Sequence, residues 1–130
     1  MKATQLMVLG ASLLASSVIG PARAEDTQAQ YIQLAEIEIE PAELENYKAA
    51  VKEHIEAAVR VEPGVLVLYA VSEQDSPTNI RVFEIYRDTA AYKSHLETAH
   101  FKKYKATTEK MVRSLKLVRT SPIALGGKTN

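Results

Sequence analysis

The chain contains no cysteine and no tryptophan. Without a thiol it can form no disulfide, thiolate metal site, thiol nucleophile or haem attachment through cysteine. It also lacks a glycine-rich phosphate loop, a serine elbow, and any flavin or nicotinamide fingerprint. Charge of neither sign dominates, since 16 basic side chains balance 16 acidic ones. Lys102, Lys103 and Lys105 punctuate a helical pattern and read as its solvated face, so nothing resembles a nucleic-acid footprint. Long hydrophobic runs are missing too. The apolar stretch from Leu6 to Ile19 is diluted by serine and glycine and is shorter than the roughly 20 residues a membrane span needs.

That stretch instead has the form of a secretory leader. Lys2 supplies the positive end, and Pro21-Ala22-Arg23-Ala24 places small residues at the −3 and −1 positions before Glu25. We expect residues 1–24 to be cleaved and the product exported to the periplasm or beyond. No cysteine follows to accept a lipid, so no stable membrane anchor is expected after cleavage. Loss of Lys2 and Arg23 leaves a net charge of about −2. Residues 25–30 are polar and expected to be disordered, 31–120 form one domain, and 121–130 are a tail. A domain of this length builds a small core and gains from burial against a partner.

From Tyr31 to Glu40 the chain alternates, with Ala35, Ile37 and Ile39 on one side and glutamates on the other, which is strand period. Pro41 opens a helix where its missing N–H costs nothing. Leu44, Tyr47, Val51, Ile55 and Ala58 form its apolar stripe, with His54 at the boundary, and Pro63-Gly64 ends it. Val65 to Val71 is apolar on both faces. A turn over residues 74–79 returns the chain along Ile80 to Arg87, and a turn centred between Ser76 and Pro77 sets Tyr69 opposite Glu84. Asp88 or Thr89 caps the next helix. Its stripe begins as Tyr92, Leu96 and Ala99, then shifts phase to Phe101, Tyr104, Thr108, Met111 and Val112, which predicts a break near Thr98 to Phe101. Leu115 to Thr120 is the last strand.

The order strand, helix, strand, strand, helix, strand is that of an α+β, ferredoxin-like βαββαβ fold. Its helices cover one sheet face only. The two-sided apolar strand Val65 to Val71 therefore predicts a homodimer in which a second copy covers the other face, a dimeric α+β barrel.

His95 neighbours Tyr92, Leu96 and Ala99, which turns it towards the space between helix and sheet, where an imidazole can move a proton. A half-buried structural histidine is the competing reading. Glu84 and Tyr86 share one strand face; the carboxylate either orients His95, binds a substrate, or makes a buried structural bond. His100 follows His95 by five, so only a break would let both converge. Nothing in the histidine spacing selects a metal, and none is expected.

Glu62-Pro63-Gly64, Glu84-x-Tyr86, and His95 followed by Thr98-x-His100-Phe101 together resemble the antibiotic biosynthesis monooxygenase (ABM) family over residues 31–117. That family includes small quinol monooxygenases. The resemblance implies a dimeric barrel, a cavity lined by His95, and cofactor-free oxygenation of a quinol-like or phenolic small molecule. Other members isomerise small carbonyl sugars, and a haem-degrading branch uses a tryptophan that this chain lacks. The expected site has His95 as general base and Glu84 holding its imidazole. Tyr69, Tyr86 and Tyr92 are expected at the pocket, with His54 and His100 as further substrate-binding candidates. An isomerase or tautomerase of an enolisable carbonyl is the first alternative, and a non-catalytic periplasmic ligand-binding module the second.

Overall fold

Alternation builds the central strand, β1 (Tyr31–Ile39), whose Ala35, Ile37 and Ile39 enter the core. The computed structural model describes residues 29–129, so the expected leader lies outside the described residues. Pro41–Glu43 forms a single 3-10 turn that leads into α1 (Leu44–Val61). Tyr47, Val51, His54 and Ala58 recur at spacings of three and four along the buried side of α1. His54 therefore sits within the stripe, 7% exposed, and not at the boundary expected of it.

The helix ends at Val61, and the chain turns through Pro63-Gly64 into β2 (Val65–Ser72). Gly64 is required by a close approach. A Cβ there would lie 2.5 Å from the Cβ of Ala91, so a side chain would push the following helix off the sheet. β3 (Asn79–Tyr86) follows, then α2 (Thr89–Leu96), whose first turn is capped by Asp88 accepting from the Ala91 N–H at 2.8 Å.

The expected break falls between α2 and α3 (Ala99–Thr108). The Thr98 hydroxyl donates to the His95 carbonyl at 2.7 Å and accepts from the Phe101 N–H at 3.2 Å, so one side chain ends the first helix and starts the second. β4 (Val112–Thr120) begins at Val112, not Leu115, because a 3-10 turn over Glu109–Met111 already ends the helix. Met111 and Val112 still pack on the core, which is why their spacing reads as helical.

The strands form one antiparallel sheet in the order β2-β3-β1-β4. The fold is α+β and ferredoxin-like, with the second helix split in two. In the hairpin, Leu68 lies opposite Glu84 and Tyr69 opposite Phe83, with a register shift between Val65 and Val67. The pairing is thus offset by one residue from the expected register, with the turn centred on Ser76 and not between Ser76 and Pro77. A slip of one exchanges the faces of a strand: Leu68 faces the helices, and Tyr69, 65% exposed, does not.

Two buried clusters flank the middle of the domain. One joins Ala35, Ile37, Tyr47, Val51, Ile80 and Val82; the other joins Tyr31, Ala58, Val65, Leu68, Tyr86 and Ala91. A hydrogen bond of 2.7 Å between the Tyr47 and Tyr104 hydroxyls ties α1 to α3.

Candidate active site

Between the sheet and the helices lies a cavity of about 290 Å³. Most of its wall is apolar, including Ile37, Val51, Leu68, Val82, Phe101 and Leu117. Against that background its polar residues stand out: His54 from α1, Glu84 from β3, Gln33 from β1, Tyr92 and His95 from α2, Tyr104, Lys105 and Thr108 from α3, and Glu109 just after it.

His95 is 2% exposed and is held by Glu62, at the end of α1. Its Nδ1 lies 2.7 Å from Glu62 Oε2, and Nε2 of His100 lies 2.6 Å from the same oxygen. An ionised carboxylate only accepts hydrogen bonds, so both imidazoles donate to it. In the neutral imidazole of His95 this puts the proton on Nδ1 and leaves the lone pair on Nε2. The break at Thr98 makes the arrangement possible, since five residues on an unbroken helix would turn His100 away from Glu62.

Glu84 therefore does not orient His95, as the sequence suggested; Glu62 does. Glu84 accepts from the Tyr86 hydroxyl at 2.6 Å and from Gln33 Nε2 at 3.0 Å. Tyr86 is fully buried behind this carboxylate and does not line the cavity. Burial and the Glu84 charge push its phenol well above the ordinary range, so it remains a donor. Tyr69 and His100 are also absent from the cavity wall: Tyr69 is on the wrong side of its strand, and His100 lines a shallow cleft between α1 and α3. Tyr92 does line it and stacks on Tyr31 with ring centroids 4.1 Å apart. Burial, then Tyr31, raises the Tyr92 phenol. Gln33 was not singled out from the sequence; its place in the alternating β1, on the same side as Ala35, is the one sequence signal that could have found it.

Glu62, His95 and His100 each offer a ligand atom within 4.8 Å of the others, the group among the described residues where an ion could be held. Both imidazoles nevertheless meet one oxygen at hydrogen-bond length. As placed, each imidazole can donate to that oxygen, which satisfies the cluster as a hydrogen-bonded unit.

His54 completes the wall. Its ring stacks on Tyr104 and lies 5.1 Å from His95 and 5.7 Å from His100, centroid to centroid. Its Nδ1 is the one buried polar side-chain atom without a partner among the described residues. Burial, then the fields of His95 and His100, lower it from 6.5 to about 4. A histidine kept neutral in the fold costs nothing above its ordinary value. As pH falls from 6.5 towards 4 the unfolded chain gains a proton that the folded one refuses, so stability drops, by about 3 kcal/mol at most. His54→Phe, which keeps the stacked ring, should flatten that decline in denaturant midpoints measured between pH 7 and 4. Equal slopes in the two proteins would assign the decline to other groups.

A model of the family described as antibiotic biosynthesis monooxygenase (ABM) matches residues 30–107. Among solved structures, a candidate antibiotic biosynthesis monooxygenase from Bacteroides thetaiotaomicron is 48% identical, over 80% of this chain and 99% of that one, with a TM-score of 0.75. A candidate monooxygenase from Lactobacillus acidophilus is 28% identical over 71% of this chain and 45% of that one, with a TM-score of 0.68. A counterpart from Nitrosomonas europaea, 23% identical over 77% of this chain and 96% of that one, shares the fold with a TM-score of 0.71. No curated protein matches this chain. The family match contains Glu62, Glu84, His95 and His100 together, and the chain belongs to the antibiotic biosynthesis monooxygenase family.

Proposed function

We propose that this protein is a cofactor-independent monooxygenase of a quinol-like or phenolic small molecule, with His95 as its general base. The observation that carries this reading is the 2.7 Å bond from His95 Nδ1 to Glu62 on the wall of an apolar cavity. Family membership and the monooxygenase names of the similar structures support oxygenase chemistry in general. The substrate hydroxyl gives its proton to His95 Nε2, and Glu62 stabilises the imidazolium that results. The electron-rich anion left in the cavity then reduces dioxygen itself. One oxygen atom ends on the ring and the other leaves as water, with all four electrons coming from the substrate. The apolar wall keeps bulk water from reprotonating the anion.

An oxygen-uptake screen of quinols, phenols and enolisable carbonyls tests this. Uptake should accompany turnover of the quinols or phenols. Turnover of a carbonyl without uptake would instead make the protein an isomerase using the same base.

Export and pairing belong to the same proposal. Leader cleavage after Ala24 should give an exported product beginning at Glu25, and N-terminal sequencing that still finds Met1 would refute it. A second copy is proposed to cover the sheet face opposite the helices. There the register places Tyr69, Phe83, Leu34 and Val118 in one row, and Tyr69 and Val71 stand exposed.

A further inference from the structure

We propose that Glu84 is a second substrate-contacting group, which reads a hydroxyl other than the one delivered to His95. The inference rests on the oxygenase reading for its chemistry but not for its test. Glu84 lines the same cavity as His95 yet shares no hydrogen bond with it. Its neighbours on that face of β3, Ile80 and Val82, are buried and apolar. A carboxylate in such a row is costly unless it is paired. Its partners are neutral: the Tyr86 hydroxyl on Oε1 and the Gln33 amide on Oε2.

Those partners are themselves fixed. Gln33 is 3% exposed, and its Oε1 accepts from the Tyr31 hydroxyl at 3.2 Å, which aims its Nε2 at Glu84. Tyr31, Gln33 and Tyr86 are thus positioning residues that hold one anion in one orientation. An ionised carboxylate offers about four lone-pair sites, and two are used here. The remainder belong to whatever donor enters the cavity. Among its acceptors the cavity wall therefore carries the His95 lone pair from α2 and the Glu84 carboxylate from β3, on separate elements. A compact aromatic ring with two hydroxyls satisfies both; a ring with one hydroxyl leaves one of these two unmatched.

The test is binding under anaerobic conditions, where no oxidation can follow. Titration calorimetry with 1,4-dihydroxynaphthalene and with 1-naphthol compares one ring carrying two hydroxyls or one. The wild type should prefer the diol by about ten- to a hundredfold, the value of a hydrogen bond to a charged group. Glu84→Gln should reduce that ratio to about twofold or less, and Gln33→Leu, which leaves the carboxylate present but loosely held, should reduce it in part. A structural role for Glu84 would lower the melting temperature of these variants and leave the ratio alone. An unchanged ratio in Glu84→Gln overturns the proposal, as does tighter wild-type binding of 1-naphthylmethylammonium, which would mark a cation site. Oxygen uptake with the diol, measured separately, keeps the two readings apart. Uptake with an unchanged ratio removes the Glu84 role and leaves the oxygenase. A ratio lost in Glu84→Gln without uptake keeps the Glu84 role and removes the oxygenase. Failure of the wild type to bind either naphthol overturns both.

Discussion

Replacing His95 with alanine is expected to lower turnover of an accepted substrate by about a hundredfold or more, since positioned proton transfer contributes about 10²–10⁴-fold. Far-UV circular dichroism should confirm that the fold survives. The partner variants then rank the cluster. Glu62→Gln keeps a hydrogen-bonding group and loses the charge that favours the imidazolium, so its loss should be smaller. Glu62→Ala frees both imidazoles and should approach the loss in His95→Ala. His100→Ala leaves the bond from His95 to Glu62 in place and should cost least of the four. Full activity in His95→Ala, or activity that depends on added flavin or metal, would refute the mechanism and leave family membership as a statement about fold.

A pair of aspartate substitutions on adjacent residues of β2 should have opposite consequences. Leu68 is 6% exposed and packs in the cluster with Tyr86 and Ala58. A charge there faces several kcal/mol of desolvation, against a total stability of about 5–15 kcal/mol for a domain. Leu68→Asp should therefore leave little folded protein by circular dichroism. Val67 points to the other face, opposite Ile85. Val67→Asp should keep the fold and separate the proposed dimer, which light scattering would detect as a halved mass. A folded Leu68→Asp would contradict the register, and a well-folded wild-type monomer at micromolar concentration would contradict the dimer.

The difference between these neighbours shows where sequence patterns carry information. Periodicity located every strand and helix except the start of β4, and the change of phase after Ala99 placed a break near Thr98 to Phe101, which falls at Glu97-Thr98. A cap at Asp88 or Thr89 was legible because its chemistry is local, and Asp88 is the residue that caps. Periodicity cannot place a hairpin turn to within one residue, and the shift at Val65–Val67 is not written in any apolar pattern. That single residue moved Tyr69 out of the site and left Glu84 facing the helices beside Leu68. The role of Glu62 was hidden for another reason. It is visible in sequence as part of a helix-ending Glu-Pro-Gly, but its contacts lie 33 and 38 residues away. Only the approach of α2 and α3 to the end of α1 turns a terminal glutamate into the anchor of two imidazoles. His54 looked peripheral because a stripe drawn from apolar residues passes over a histidine lying within it.

The junction at Thr98 also sets a limit on the length of this segment. Each residue in a helix advances the side chain by about 100°. The interval between His95 and His100 is bridged by a two-residue joint, Glu97-Thr98, between helices that end at Leu96 and start at Ala99. Adding or deleting one residue in α3 before His100 would rotate its ring by that angle, away from Glu62, without altering any residue of the cluster. The joint thus acts as a ruler. Working descendants of this chain can vary in composition on either side of Thr98 far more freely than they can vary in the number of residues across it.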